Sequence, residues 1–540
     1  MTEAELLSKI TAALVPVDPP TTIPDGRFAL HLAGSVDAHA FTTKVEKTLA
    51  SLAPTVHPLS SNLKSVLLLT FPGKILRQQP STAFEAAYAL CSYFELTAVE
   101  PELYTGFFND EPDGDISSAE LESLGIKSTC QAPENASLEN EKAWAIRLTR
   151  TRDAWAYSEA QGKATKGKGI VIAQPDTGIT THPELERVQY ATGVDLLLGK
   201  EGAIDPLGYA GSPSHGTGTA SVAVSPEVGF IVGAAPAATL MPIRAIETVV
   251  RVSQLRVAEA VDYAVSNGAH IISMSLGGLP SLALWMAIRR AVAANIIVLA
   301  AAGNCAKAVV WPARYEDCIA VAGTNFDDLP WKGSCTGTDV DVSAPAENVY
   351  RARTELDGNS QVFSVGQGQG TSFATALTAG IAACWLAHHG RSHILAEAAE
   401  RGESVQQMFK RLLLTTSRRP QEWNDREMGA GIVNALDLLK ADLDAGRGEE
   451  GADLLNALPT SSIRALTQAY VPSSIGDINL ERYGMEMANS ILESAQQAAL
   501  TDAEIQLESG EHSLSNLSPT LNRVLASAGR SEQIARSWLR

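Results

Sequence analysis

The sequence predicts an α/β protein. A three-layer α/β/α domain with a mostly parallel sheet is preceded by a ferredoxin-like βαββαβ domain and followed by a helical extension. Three observations predict this. From Trp144 onward, short and fully apolar runs bounded by glycine alternate with helical stretches, the pattern of a parallel sheet covered on both faces. The first hundred residues alternate strand and helix periods in the order of a split βαβ unit. After Asp437 the chain turns Ala/Leu/Gln/Ser-rich and helical, with breaks at Pro459 and Pro472.

In the first region, strands are expected at 27–32, 56–59, 65–71 and 96–100, with helices at 38–52 and 83–94. Residues 106–143 are polar and acidic and read as a linker with one short helix. The central region places strands at 169–173, 237–246, 271–274, 296–302 and 318–322, and helices at 254–267 and 371–388. The expected units are therefore 1–105, a linker at 106–143, a central domain at 144–440 and a helical extension at 441–540.

A chain of 540 residues that is 45% hydrophobic and 19% charged can bury a large core, so wholesale disorder is excluded. With 61 acidic against 42 basic side chains it lacks the basic face of a nucleic-acid binder. The acidity is uneven. Residues 1–140 carry 18 acidic and 8 basic side chains and residues 441–540 carry 14 and 7, whereas 141–440 are nearly balanced at 29 and 27. No basic segment precedes an apolar run at the start, and no window holds the ~18 apolar residues of a membrane span. The expected address is cytoplasmic, with leaderless secretion left open. Six cysteines without a CxxC pair are expected to be mostly free, buried thiols.

Three segments place a reactive group at a strand end or a helix start. They are Ile172-Ala-Gln-Pro-Asp176-Thr177-Gly178, Ser214-His215-Gly216-Thr217-Gly218, and Gly368-Gln-Gly370-Thr371-Ser372-Phe373-Ala374. A serine hydroxyl is a weak nucleophile until a neighbouring base takes its proton, and a buried carboxylate holds that imidazole in the right tautomer. Free N–H groups at a helix start favour negative charge beside Ser372. A fourth segment, Ala300-Ala-Ala302-Gly303-Asn304, sets an amide donor at a strand end, where it can stabilise an oxyanion.

With its order Asp, His, Ser, the chain resembles the subtilases, the subtilisin-like serine proteases, over about residues 144–440. The likeness rests on Trp144-Ala145-Ile146, the three segments above, Ser273-Met274-Ser275-Leu276-Gly277-Gly278, Gly303-Asn304, Trp311-Pro312-Ala313, Ser343-Ala344-Pro345 and Gly429-Ala430-Gly431-Ile432-Val433-Asn434-Ala435. The resemblance implies Ser372 as nucleophile, His215 as general base and acid, Asp176 as orienting carboxylate and Asn304 in the oxyanion hole. It implies Ser275, Leu276, Gly277 and Gly303 as substrate-binding positions, with strand addition as the mode of peptide capture. It also implies a polypeptide substrate, no cofactor requirement for catalysis, and an N-terminal domain acting as an intramolecular inhibitor of a zymogen. A protein partner is expected for the C-terminal helices; nucleic acid and a membrane span are not. Four departures stand out: Pro175 before the aspartate, Gly218 for a second histidine, Phe373 for methionine and Ala376 for proline. Residues 223–233 also lack the Asn-rich loop that binds calcium in secreted relatives.

Residues 109–120 resemble an EF-hand loop, with Asn109, Glu111, Asp113 and Glu120 as calcium candidates. The awkward Pro112 and the lack of a second loop favour an acidic linker over a calcium site. The near P-loop at 162–169 has glycine where Ser or Thr must meet Mg²⁺, and Gly390 interrupts the helical spacing of His389, His393 and Glu397. Two other functional classes share the motifs: a catalytically silent scaffold, and a serine acyltransferase or peptide cyclase.

Overall fold

A computed structural model describes residues 1–103, 132–447, 461–470, 478–501 and 517–527, apart from short gaps at 17–24, 35, 78, 210, 228, 252–253 and 306–307. The N-terminal region opens with helix α1 (Glu3–Ala13), started by a reciprocal cap between Thr2 and Glu5. Strands β1 (Leu14–Pro16) and β5 (Lys74–Leu76) pair apart from the main sheet. That sheet holds β2 (Gly26–His31), β3 (Thr55–Pro58), β4 (Val66–Phe71) and β6 (Ala98–Pro101) in the order β3-β4-β2-β6, all antiparallel. With α2 (Ala38–Thr48) and α3 (Pro80–Phe94) this is the βαββαβ arrangement. Every residue of β2 is buried, because one face meets α2 and α3 while the other meets the central domain.

Six parallel strands form the centre of the next unit. They are β7 (Val171–Asp176), β8 (Thr239–Arg244), β9 (Ile271–Met274), β10 (Ile297–Ala301), β11 (Ile319–Thr324) and β12 (Val342–Pro345), in the order β8-β7-β9-β10-β11-β12. Two-residue strands extend the β8 edge to a nine-stranded sheet. The pleat sends alternate residues to opposite faces. Ile172, Leu240, Ile271 and Ile297 join α5 (His215–Val224) and α8 (Thr371–His389), with α4 (Thr151–Ala160) and α9 (Val405–Thr416) around them. Ala173, Met241, Ile272 and Val298 face α6 (Leu255–Ser266) and α7 (Leu282–Ala293). This is the three-layer architecture expected. Strand β7 runs three residues past its expected end and so carries Asp176 on its last position.

Between β12 and α8 lies a long antiparallel hairpin, β13 (Val349–Asp357) and β14 (Ser360–Gly368). Its loop is Gly358-Asn359, and Gly358 takes φ +60. Among the described C-terminal residues are three helices, α10 (Ser461–Tyr470), α11 (Leu480–Thr501) and α12 (Pro519–Ser527). Among the described residues no helix is long and apolar enough to cross a membrane.

Cys91, Cys318, Cys335 and Cys384 are buried and outside any disulfide, as expected, but Cys305 is disulfide-bonded. Cys130 lies outside the described residues, as do Asn109, Glu111, Asp113 and Glu120. Among the described residues no cluster of three His, Cys, Asp or Glu could hold a metal ion.

Candidate active site

Asp176 ends β7 at 1% exposure, and its Oδ1 lies 2.8 Å from His215 Nδ1 on the first residue of α5. Its carboxylate also accepts the Thr177 N–H at 2.7 Å and the Thr219 hydroxyl at 3.1 Å. Charge on this carboxylate is therefore met by three donors, one of them the imidazole. Gly216 is required for the approach: a Cβ there would fall 2.1 Å from the Gly178 carbonyl oxygen and 3.3 Å from Asp176 Cβ.

Ser214, just before the imidazole, adopts φ +67, which is costly for a residue with a side chain. Two contacts hold it. Its N–H donates to Asp205 Oδ2 at 2.8 Å, and its hydroxyl accepts the Thr354 N–H of β13 at 2.8 Å. Asp205 Oδ2 also accepts the Thr177 hydroxyl at 2.8 Å, and that hydroxyl accepts the Gly216 N–H at 3.0 Å. One buried carboxylate thus braces the residue after Asp176 and the residues on either side of His215. Burial raises the Asp205 pKa against the opposing effect of these donors. The sequence reading missed Asp205. It precedes His215 by ten residues, and only the fold brings it back.

Ser372 occupies the first turn of α8, where N–H groups lack intrahelical acceptors. It exchanges hydrogen bonds with Ser275: Ser275 Oγ donates to the Ser372 carbonyl at 2.9 Å, and Ser372 Oγ donates to the Ser275 carbonyl at 3.3 Å. Asn304 stands on the other side of the helix start. Its Oδ1 accepts the Thr371 N–H at 2.9 Å and the Thr371 hydroxyl at 2.8 Å, which assigns the oxygen of the amide to the helix start.

The remaining predicted positions cluster here with one difference. Gly303 donates to the Thr371 hydroxyl at 3.2 Å, and Leu276 is buried at 3% exposure. Gly277, expected to offer its backbone to a peptide, instead donates its N–H to the Val249 carbonyl at 2.8 Å. Gly277–Gly278 pairs in parallel with Val250–Arg251. Two departures from the expected motifs compensate each other. A Cβ on Gly218 would lie 3.2 Å from Arg351 Cδ and 3.7 Å from Phe373 Cε1, so these side chains fill the space a larger residue would take. Phe373 is 5% exposed, its ring lying against Gly218 and Gly368.

A family model described as the subtilase family matches residues 167–431. Thermitase of Thermoactinomyces vulgaris is 34% identical over 242 residues, which cover 44% of this chain and 80% of that protein. Subtilisin BL of Lederbergia lenta is 31% identical over 239 residues, covering 42% and 82%. The chain belongs to the subtilase family. This subtilase is also 33% identical to a thermostable alkaline protease of Halalkalibacterium halodurans, but spans only 61% of that protein's length. Among solved structures, fervidolysin from Fervidobacterium pennivorans, described as a keratinolytic enzyme related to subtilisin, aligns over 78% of this chain and 62% of its own. The TM-score is 0.55 at 22% identity, a likeness of fold.

Proposed function

We propose that this subtilase is a serine endopeptidase that works through an acyl-enzyme. The observation that carries the reading is the Asp176–His215 contact of 2.8 Å, set in a sheet that ends beside Ser372 and Asn304. In the first half-reaction Ser372 Oγ attacks the scissile carbonyl as His215 takes its proton, and Asp176 stabilises the resulting imidazolium. Asn304 Nδ2 and the Ser372 N–H receive the oxyanion. His215 then protonates the leaving amine, and the C–N bond breaks. Water, deprotonated by His215, attacks the ester and regenerates Ser372. Every step uses protein groups and water alone.

The N-terminal domain is the proposed inhibitor of this site. It sits on α6 and α7 through specific polar contacts. Glu100 Oε1 accepts the Ala283 N–H in the first turn of α7 at 3.0 Å, where a carboxylate meets the positive end of the helix. Arg27 pairs with Glu102 and with Glu259 of α6, and Asn62 Nδ2 donates to Asp262 and Ser266, both at 3.0 Å. The C-terminal part of the linker is tied to the nucleophile loop: Gln367 and Gln369 bond the backbone of Asn135 and Ala132.

For location, the disulfide at Cys305 weighs more than the free thiols. Thiols buried at 0–2% exposure are shielded in any compartment, whereas a disulfide persists best in an oxidising one. An oxidising compartment is thus favoured over the cytoplasm.

The deciding experiment compares wild type with Ser372→Ala by fluorophosphonate labelling and by hydrolysis of denatured protein. Labelling and hydrolysis confined to the wild type support the endopeptidase. Equal behaviour of the two would leave a silent scaffold, and amine-dependent ligation without hydrolysis would indicate an acyltransferase.

A further inference from the structure

We infer that the C-terminal helices α10–α12 form an intramolecular clamp that keeps the N-terminal domain seated on the catalytic domain even after the chain connecting them is cut. The inference rests on the reading of the N-terminal domain as the inhibitor of the Ser372 site. It identifies what the C-terminal extension binds: the α3 face of its own N-terminal domain.

The N-terminal domain is gripped from two sides. Its sheet lies on α6 and α7, and its opposite face, α1 and α3, meets the C-terminal helices. Glu486 of α11 is 1% exposed and satisfied by donors from two other elements. Tyr88 OH of α3 donates to its Oε2 at 2.7 Å, the Ser518 hydroxyl to the same oxygen at 2.9 Å, and the Ser518 N–H beside α12 to Oε1. A second carboxylate, Glu85 of α3, accepts from Lys9 of α1 and from the N–H and hydroxyl of Thr520 in α12. Arg482 donates to the Tyr88 carbonyl at 3.1 Å and to the Ser92 hydroxyl. The Tyr88 and Tyr483 rings meet edge to face at 5.0 Å.

The same helices also hold the catalytic domain, which distinguishes a clamp from a decoration of the N-terminal domain. Trp311, next to the cleft strand Gly277–Gly278, donates its indole N–H to Ser462 Oγ of α10 at 3.0 Å. Ile463, Leu480 and Met485 gather around Glu100, Pro280 and Tyr315, where the three units meet. Leu6, Ile10 and Phe84 of the first unit share one apolar cluster with Leu284 and Ile288 of α7 and with Met487, Ile491, Leu521 and Leu525. An N-terminal domain released from its covalent link must break both faces before it can leave. Each extra face acts at high effective concentration because it belongs to the same molecule.

The test places a recognition sequence for a site-specific protease between residues 115 and 125 of the full-length chain carrying Ser372→Ala. After cutting, the residence of the N-terminal fragment on the remainder is followed by size exclusion and intact mass. The uncut contacts should hold the fragment. Tyr88→Ala with Glu486→Ala should shorten its residence at least tenfold. Arg482→Glu, which changes a side chain at the edge of the interface, guards against unfolding of the double variant and should act in the same direction. Equal residence in all three proteins overturns the clamp, as does immediate release from the parent. Fragment residence does not depend on hydrolysis. Absence of fluorophosphonate labelling on the Tyr88→Ala, Glu486→Ala chain with Ser372 restored, read after its N-terminal fragment has left, would therefore refute the peptidase reading alone.

Discussion

Gly277 donates its backbone N–H to the carbonyl of Val249 at 2.8 Å, and Gly278 exchanges hydrogen bonds in both directions with Trp311 at 2.8 and 3.2 Å. The strand proposed to receive a peptide is already paired within the chain. A substrate that adds as a strand must first part Gly277 from Val249. A Cβ on Gly277 would lie 2.4 Å from Val310 Cγ2, so Gly277→Ala distorts this rim without touching the reactive groups. Peptide hydrolysis should fall about tenfold in kcat/KM, in line with overpacking costs of ~1–3 kcal/mol, while fluorophosphonate labelling of Ser372 stays unchanged.

Asp205 should behave as a positioning residue. Asp205→Ala leaves the Ser214 N–H and the Thr177 hydroxyl without their buried acceptor, a loss of ~1–3 kcal/mol in thermal unfolding. It should lower kcat ~10–100-fold with KM little changed, because a shift of under 1 Å in His215 impairs proton transfer more than binding. Asp205→Asn keeps an acceptor oxygen and should recover most of the activity. Equal losses in both variants would remove the positioning role.

Asn304→Leu removes the donor facing the oxyanion while keeping the side-chain volume close. The expected outcome is a kcat about 10²–10³-fold lower at unchanged KM. Because Asn304 Oδ1 also holds Thr371, circular dichroism of the variant should be checked against Asn304→Asp, which retains that acceptor.

Stability should fall as pH rises toward neutrality. Burial pushes the Glu486 carboxyl from 4.5 to about 7, helped by the nearby Glu85, against the donors Tyr88 and Ser518. Arg482 and Tyr483 are the other titratable groups of α11 at this contact. Below pH 4.5 the group is neutral whether folded or unfolded, and its packing contributes in full. Between 4.5 and 7 the unfolded chain ionises first, so the stability is progressively lost, and above 7 the loss levels off. The displacement corresponds to ~3 kcal/mol. Denaturant titrations from pH 4 to 8 should show this slope in the wild type and lack it in Glu486→Gln.

The parts of the site visible in the sequence are those built from local chemistry. Asp176 sits where an apolar strand ends at a glycine turn, and His215 and Ser372 sit where glycine-bearing segments start a helix, and such transitions leave a signature in neighbouring residues. Strands β7–β11 were legible because burial on both faces makes them continuously apolar, whereas the four-residue β12 was read only as the Ser343-Ala344-Pro345 motif. The hairpin β13–β14 was not, since its outer half is exposed and mixes Leu356, Val362 and Phe363 with polar residues, although the two-residue loop Gly358-Asn359 is a turn signal. Helix α1 was likewise missed despite the capping pair Thr2 and Glu5. Asp205, the Gly277–Val249 pairing and the Glu486 contacts arise only from tertiary approach, and no local pattern announces them.

The meeting of α3 with α12 has a temporal consequence. Phe94 and Ser527 are 433 positions apart, and at a synthesis rate of about 5–20 residues per second the second segment follows the first by roughly 20–90 s. Throughout that interval the central domain emerges and can fold against the N-terminal sheet while the outer face of α3 is still bare. The contacts made by α12 form after the domain that they lock. A ribosome that stops short of α12 would deliver a molecule with its reactive groups in place and an unfinished restraint.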